Sequence, residues 1–252
     1  KPLHATRFFD RIEKHTIRGM TATNPLPRRA TLHYVFDPLC GWCYAAAPLI
    51  EAARSVPALA IECHGGGMLT GSNRRPITPA WREHVMPHDR RIAELSGQPF
   101  GAAYFDGLLN DSGAMLDSAP PLTAILVAEA AAGRGLDMLH SVQRAHYVEG
   151  RRVADPEVLR ALAADLGLDA AAFSDDFDFI AGEATQRHID ESRRWLARIG
   201  GQGFPTLALA TTDGRLMPLD AGRYLGRPDA WVAQLDTLLS QPLSPQSPKE
   251  HP

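Results

Sequence analysis

Two cysteines two residues apart, Cys40 and Cys43 in the run Asp37-Pro38-Leu39-Cys40-Gly41-Trp42-Cys43-Tyr44, are the side chains of this sequence best suited to do chemistry. Two thiols so spaced can interconvert with a disulfide: one thiolate attacks a foreign disulfide and the second releases the product. Half of a metal site is a second reading of such a pair, but only Cys63 remains to complete a four-cysteine set, and no metal site is expected. Two inert core thiols are a third reading.

The elements around the pair favour the redox reading. Thr31-Leu32-His33-Tyr34-Val35-Phe36 is rich in β-branched and aromatic residues and reads as a short buried strand ending at Asp37-Pro38. From Trp42 the pattern turns helical through Tyr44-Ala45-Ala46-Ala47-Pro48-Leu49-Ile50. Cys40 then stands at a helix N-terminus, where unpaired backbone N–H groups and the helix dipole favour a thiolate. On this reading Cys40 is the exposed nucleophile, and Cys43, one turn further on and better shielded, is the resolving thiol. Trp42, between them, is positioned to touch substrate and to tune the potential.

The wider chain limits what such a site could serve. At 252 residues with 44% hydrophobic content it can bury a large core, and a net charge of -3 argues against nucleic acid as a main partner. No apolar run reaches the ~18 to 20 residues that span a bilayer, so membrane insertion is not expected. No secretory signal is visible between Lys1 and Arg29, and Met20 is a plausible alternative start. The sparse cysteines suit a reducing compartment, giving a cytoplasmic expectation.

Along the chain, Ala58 to His64 reads as a second strand, parallel to the first through a right-handed crossover, closed by Gly65-Gly66-Gly67. Thr78-Pro79 then opens a helical block with candidate helices Pro79 to Val85, Asp89 to Ser96, Pro121 to Gly133, Leu136 to Val148, Pro156 to Leu166 and Glu183 to Ile199. Pro121 to Ala132 is apolar on nearly every face and reads as the centre of that block. The β pattern returns at Thr206 to Thr211, turns at Asp213-Gly214, continues from Leu216 to Asp220, and a last helix runs from Pro228 to Leu239.

A β-α-β half carrying the cysteine pair, a long helical insertion and a β-β-α half behind Gly203-Phe204-Pro205-Thr206 resemble the thioredoxin superfamily. Within it the run Phe36 to Tyr44 is similar to the DsbA-like branch, and most of all to FrnE-like disulfide isomerases. The resemblance implies an α/β thioredoxin fold with a large all-helical insertion: an N-terminal extension over 1–30, a first half over 31–74, the insertion over 75–200 and a second half over 201–240, while the tail over 241–252, with four prolines and two serines, reads as disordered. It also implies that Pro48 kinks the active-site helix, that Pro205 is a cis-proline facing the dithiol, and that the backbone of Phe204 pairs with an extended substrate. The implied activity is thiol–disulfide oxidoreductase or isomerase chemistry on protein or peptide thiols, with no cofactor beyond external glutathione or a reductase.

Two other functions share this architecture. Kappa-type transferases and chromene-carboxylate isomerases use glutathione on small molecules, but typically carry serine where this chain has Cys40. A non-catalytic redox sensor or chaperone-like binder is the other. Several residues keep two readings. Asp37 either caps the turn with Pro38 or accepts the proton that Cys43 loses. Cys63 is a core residue or a third redox partner, and His64 a turn residue or a ligand contact. His84 and His88 have helical metal-ligand spacing, yet Pro87 is expected to break the helix between them. His188, Ser192, Trp195 and Ile199 form a stripe that either packs or, with the insertion folded over Cys40, frames the substrate groove.

Overall fold

Alternation along the first strand organises the molecule, for which a computed structural model describes residues 30–240. In β1 (Ala30–Phe36) the side chains of Leu32, Tyr34 and Phe36 enter the main core, whereas Val35 points into a second cluster with Ile199 and Ala208. Successive residues of a strand face opposite sides, so β1 is buried on both. The four-stranded sheet has the order β2-β1-β5-β6. β2 (Leu59–Gly65) runs parallel to β1, and β5 (Thr206–Ala210) and β6 (Leu216–Leu219) complete the sheet antiparallel.

Helix α1 (Gly41–Ala53) joins β1 to β2, with Pro48 inside it, and the closing helix α8 (Pro228–Ser240) packs beside it through buried Trp231 and Leu235. Helix α7 (Glu183–Ile199) crosses the sheet and contacts all four of its strands. Between β2 and β5 lie α2 (Pro79–Ser96), α3 (Ala119–Ala132), α4 (Gly135–Tyr147), α5 (Pro156–Asp165) and α6 (Ala170–Ile180). Helix α3, buried through Leu122, Ala124, Ile125, Val127 and Ala128, touches α4, α5, α6 and α7.

Three features depart from the sequence reading. The break at Pro87 does not occur: α2 runs unbroken through it, from the Thr78 cap, whose side chain accepts from Trp81 N–H at 3.1 Å, to Gly97 in the left-handed region. Pro87 is exposed, so the Glu83 carbonyl it strands can turn to solvent. The insertion is not purely helical, because β3 (Arg75–Pro76) and β4 (Met115–Leu116) form a two-stranded ribbon. Helix α6 is additional; the Asp169 side chain caps it and Phe173, Phe177 and Ile180 give it a buried face. The extension through residue 29, including Met20, and the tail from 241 lie outside the described residues.

Candidate active site

Cys40 is the N-cap of α1, and its carbonyl accepts from the N–H groups of Cys43 and Tyr44. Extended backbone at Cys40 turns its thiol out of the helix, toward the loop before β5, where Sγ donates to the Phe204 carbonyl at 3.3 Å. The Phe204–Pro205 peptide bond is cis. Cys40 is 6% exposed and Cys43 not at all, which ranks the two thiols by access. Both are reduced in this structure. Burial pushes the Cys43 thiol well above its ordinary value, with the neighbouring Cys40 sulfur adding to the rise. The Asp37 N–H donates to Cys43 Sγ at 3.4 Å and the Tyr34 hydroxyl to the Cys43 carbonyl at 3.3 Å. Trp42 projects to the rim at 37% exposure.

Gly41 lets α1 approach α2. A Cβ there would lie 2.7 Å from Ile92 Cδ1 and 3.1 Å from Asp89 Oδ1.

Asp37 is fully buried beneath the dithiol. Its Oδ1 accepts from Leu39 N–H at 2.8 Å and from the Ser118 hydroxyl at 3.0 Å, and Oδ2 accepts from Met68 N–H at 2.5 Å. Desolvation pushes its carboxyl up to about 6; the three hydrogen bonds and the Arg193 guanidinium limit the rise. Asp37 therefore does cap its turn through Leu39, and its second oxygen ties that turn to the loop after β2. Arg193 holds the same loop, donating to the carbonyls of Gly66 at 2.9 Å and Gly67 at 2.7 Å. Gly66 is required there, because a Cβ would sit 2.2 Å from the Phe204 ring.

A groove of about 290 Å³ opens beside Cys40 and Trp42. Met68 and Leu69 line one part of it, and Trp81, His84, His88 and Asp89 of α2 another. The Arg75 guanidinium lies over the Trp81 ring at 4.9 Å, and the rings of His84 and His88 are 5.2 Å apart. Asp89, nearly buried, accepts from the Tyr104 hydroxyl at 2.8 Å and is pushed up to about 6 by desolvation. The groove is small, just below the roughly 300 to 1,000 Å³ typical of small-molecule sites, and mixes aromatic walls with a few polar groups.

The model of the DSBA-like thioredoxin domain matches residues 31–224. The chain belongs to this family. Among solved structures, the cytosolic disulfide reductase DsbM from Pseudomonas aeruginosa is 56% identical, with a TM-score of 0.78 over 83% of this chain and 98% of that one. A structure of DsbM with GSH is 54% identical at a TM-score of 0.78, over 84% and 100% of the two chains. A protein from Nitrosomonas europaea, provisionally described as a protein disulfide isomerase, is 27% identical at a TM-score of 0.69, over 85% and 99%. A search of the curated proteins returned no match. Family membership, the identity to a disulfide reductase and the retained cysteine pair together give the activity class: the protein is a thiol–disulfide oxidoreductase with a thioredoxin fold and a helical insertion.

In this DSBA-like protein, Cys40, Cys43, Phe204 and Pro205 converge with Trp42 at the rim and Asp37 below. The remaining candidates lie elsewhere. Cys63 pairs in register with Tyr34, and desolvation lifts its thiol to about 12, as suits a core residue. The α7 stripe does not frame the groove: His188 accepts from Gly65 N–H at 3.1 Å and Trp195 stacks on His33 at 4.1 Å, both against the sheet. The wall that the stripe was to provide comes from α2. Sequence reasoning missed Trp81 and Asp89 as wall residues and set His84 and His88 aside, because a broken helix would not have presented all four together. It also missed Ser118 and Arg193, for which no local signal exists. No described helix is long and apolar enough to cross a membrane.

Proposed function

We propose that the protein reduces disulfides of peptide or protein substrates, with Cys40 as attacking thiol, Cys43 as resolving thiol and glutathione as electron source. The thiolate of Cys40 attacks one sulfur of the substrate disulfide; that bond breaks and the other sulfur leaves as a thiolate. Cys43 then attacks Cys40 Sγ in the mixed disulfide, the second substrate thiol leaves, and the enzyme holds a Cys40–Cys43 disulfide. Two molecules of glutathione return it to the dithiol and leave as glutathione disulfide. The observation that carries the reading is the placement of Cys40 Sγ at a helix N-terminus, 3.3 Å from the Phe204 carbonyl, over a buried Cys43.

Asp37 takes the proton that Cys43 loses in the resolving step. A carboxyl held at about 6 is ionised at neutral pH and lies close enough for its charge to raise the Cys43 thiol. Phe204 offers its backbone to an extended substrate strand once Cys40 is engaged in a mixed disulfide and releases the carbonyl. The groove beside Cys40 seats the glutathione peptide, a reading supported by the structure of the DsbM relative with GSH. The name of that relative also supports a cytosolic setting.

The test is Cys43→Ser. Incubated with glutathione disulfide, the variant is expected to accumulate a stable adduct of one glutathione on Cys40, seen by mass spectrometry, while the wild type turns over and forms the internal disulfide. In glutathione buffers the wild-type pair should titrate between roughly -150 and -250 mV, near or above the potential of a cytosolic glutathione pool, so that glutathione can reduce it. Full disulfide-reductase turnover by Cys43→Ser, or failure of the wild-type pair to form a reversible disulfide, would overturn the assignment and favour glutathione-dependent chemistry on a small molecule.

A further inference from the structure

Parallel pairing of β1 with β2 places three ligating groups together that the sequence separates. His33 is in register with Glu62, and Val35 with His64, so His33, Glu62 and His64 share one patch of the sheet. His33 Nδ1 is 3.0 Å from His64 Nε2 and 3.3 Å from Glu62 Oε2. All three donor atoms lie within 4.8 Å of one another. Trp195 of α7 fixes the rings from above, stacked on His33 at 4.1 Å and tilted against His64 at 5.0 Å. The Arg198 guanidinium is drawn onto the Trp195 ring at 4.8 Å.

One hydrogen cannot serve this arrangement. If His33 Nδ1 carries a proton, it can donate to His64 or to Glu62 but not fully to both, and the half-exposed Glu62 carboxylate then turns to water. A cation would satisfy all three lone pairs at once. We propose that His33, Glu62 and His64 form a binding site for a divalent transition ion of the zinc class, with a fourth position open toward solvent. Two imidazoles and a carboxylate are a known ligand set for zinc with an open position. Tetrahedral coordination at about 2.0 to 2.1 Å places ligand atoms roughly 3.3 Å apart, so the nitrogens need to separate by only a few tenths of an ångström. Glu62, with a half-exposed side chain, gives the ion a way in and offsets its charge.

Such an ion would join the two strands that lead into the dithiol region, since β1 continues to Asp37–Cys40 and β2 to the Gly66–Met68 loop. It is distinct from the Cys40 groove, whose lining includes none of the three ligands.

The test uses the full chain carrying Cys40→Ser and Cys43→Ser, which removes the dithiol as a competing ligand. Titration with zinc chloride by calorimetry should give one ion per chain together with a rise in Tm, and cobalt(II) should give the visible absorption of a four-coordinate nitrogen and oxygen site. Adding Glu62→Gln or His64→Gln should weaken binding roughly tenfold or more and remove the cobalt bands, whereas His84→Gln with His88→Gln should change neither. Glu62→Gln is a change at an exposed side chain and decides the matter should His64→Gln prove misfolded by circular dichroism. Absence of zinc binding, or affinity that survives Glu62→Gln and falls with His84→Gln and His88→Gln, would overturn the proposal.

Discussion

Replacing Asp37 by asparagine should change how stability depends on pH. The Asp37 carboxyl has an ordinary value of 3.8 and is pushed up to about 6 in the folded protein by complete burial. The folded state thus binds this proton more tightly than the unfolded chain does. The contribution favours folding while the group is protonated, and it is lost as pH rises from about 4 through 6. At 1.36 kcal/mol for each tenfold change in proton affinity, the whole loss is about 3 kcal/mol, of which about 2 to 3 kcal/mol falls between pH 4 and pH 8. Asparagine cannot ionise, so it escapes this loss. It also cannot accept from Leu39, Ser118 and Met68 together, because one acceptor oxygen becomes an amide that would face a donor, at a pH-independent cost of about 1 to 3 kcal/mol. Urea unfolding of the reduced wild type and Asp37→Asn across this range gives the answer. The stability of the wild type minus that of the variant should fall by about 2 to 3 kcal/mol from pH 4 to pH 8, with contributions from other buried groups cancelling in the difference. A difference that stays flat would show that Asp37 is not held in the protonatable state inferred from its burial.

Gly66→Ala places a Cβ 2.2 Å from the Phe204 ring. The ring and its loop must move, which should cost about 1 to 3 kcal/mol of stability and raise KM for a peptide disulfide more than it lowers kcat; unchanged KM and Tm would refute the contact. Arg193→Met removes the donors to the Gly66 and Gly67 carbonyls, at about 1.5 to 3 kcal/mol, and withdraws a positive charge that holds the Asp37 carboxyl down. Its pH-dependent loss of stability should therefore move to higher pH than in the wild type, and a profile that stays in place would separate Arg193 from Asp37.

What could be read in the sequence was what neighbours along the chain decide. The strand before Asp37, the helix after Cys40, the Asp213-Gly214 hairpin and the span of α7 each rest on signals within the element and its immediate flanks. The cis bond at Phe204–Pro205 was different in kind: only the family resemblance pointed to it, since nothing local forces it. Local reasoning also misled at Pro87. Proline costs a helix one backbone hydrogen bond, but Glu83 and Pro87 are both exposed, where water can serve the stranded carbonyl, so α2 carries on and brings Trp81, His84, His88 and Asp89 to one wall.

The site is harder to read than the fold because its determinants come from the insertion. Asp37 takes one hydrogen bond from its own turn, but its other partners are Met68, 31 residues away, and Ser118, 81 residues away. The loop that supplies Met68 is held in turn by Arg193 and His188 of α7. A cysteine pair at a helix N-terminus specifies which atoms react. On the proposed mechanism, the ease with which Cys43 gives up its proton, and so the balance between releasing a substrate and holding it, would depend on the buried carboxylate and the elements that trap it there. The motif Cys40-Gly41-Trp42-Cys43 alone therefore leaves the direction of electron flow open, and on the proposed mechanism a change at Ser118 or Arg193 should alter the chemistry of Cys43 without touching either sulfur.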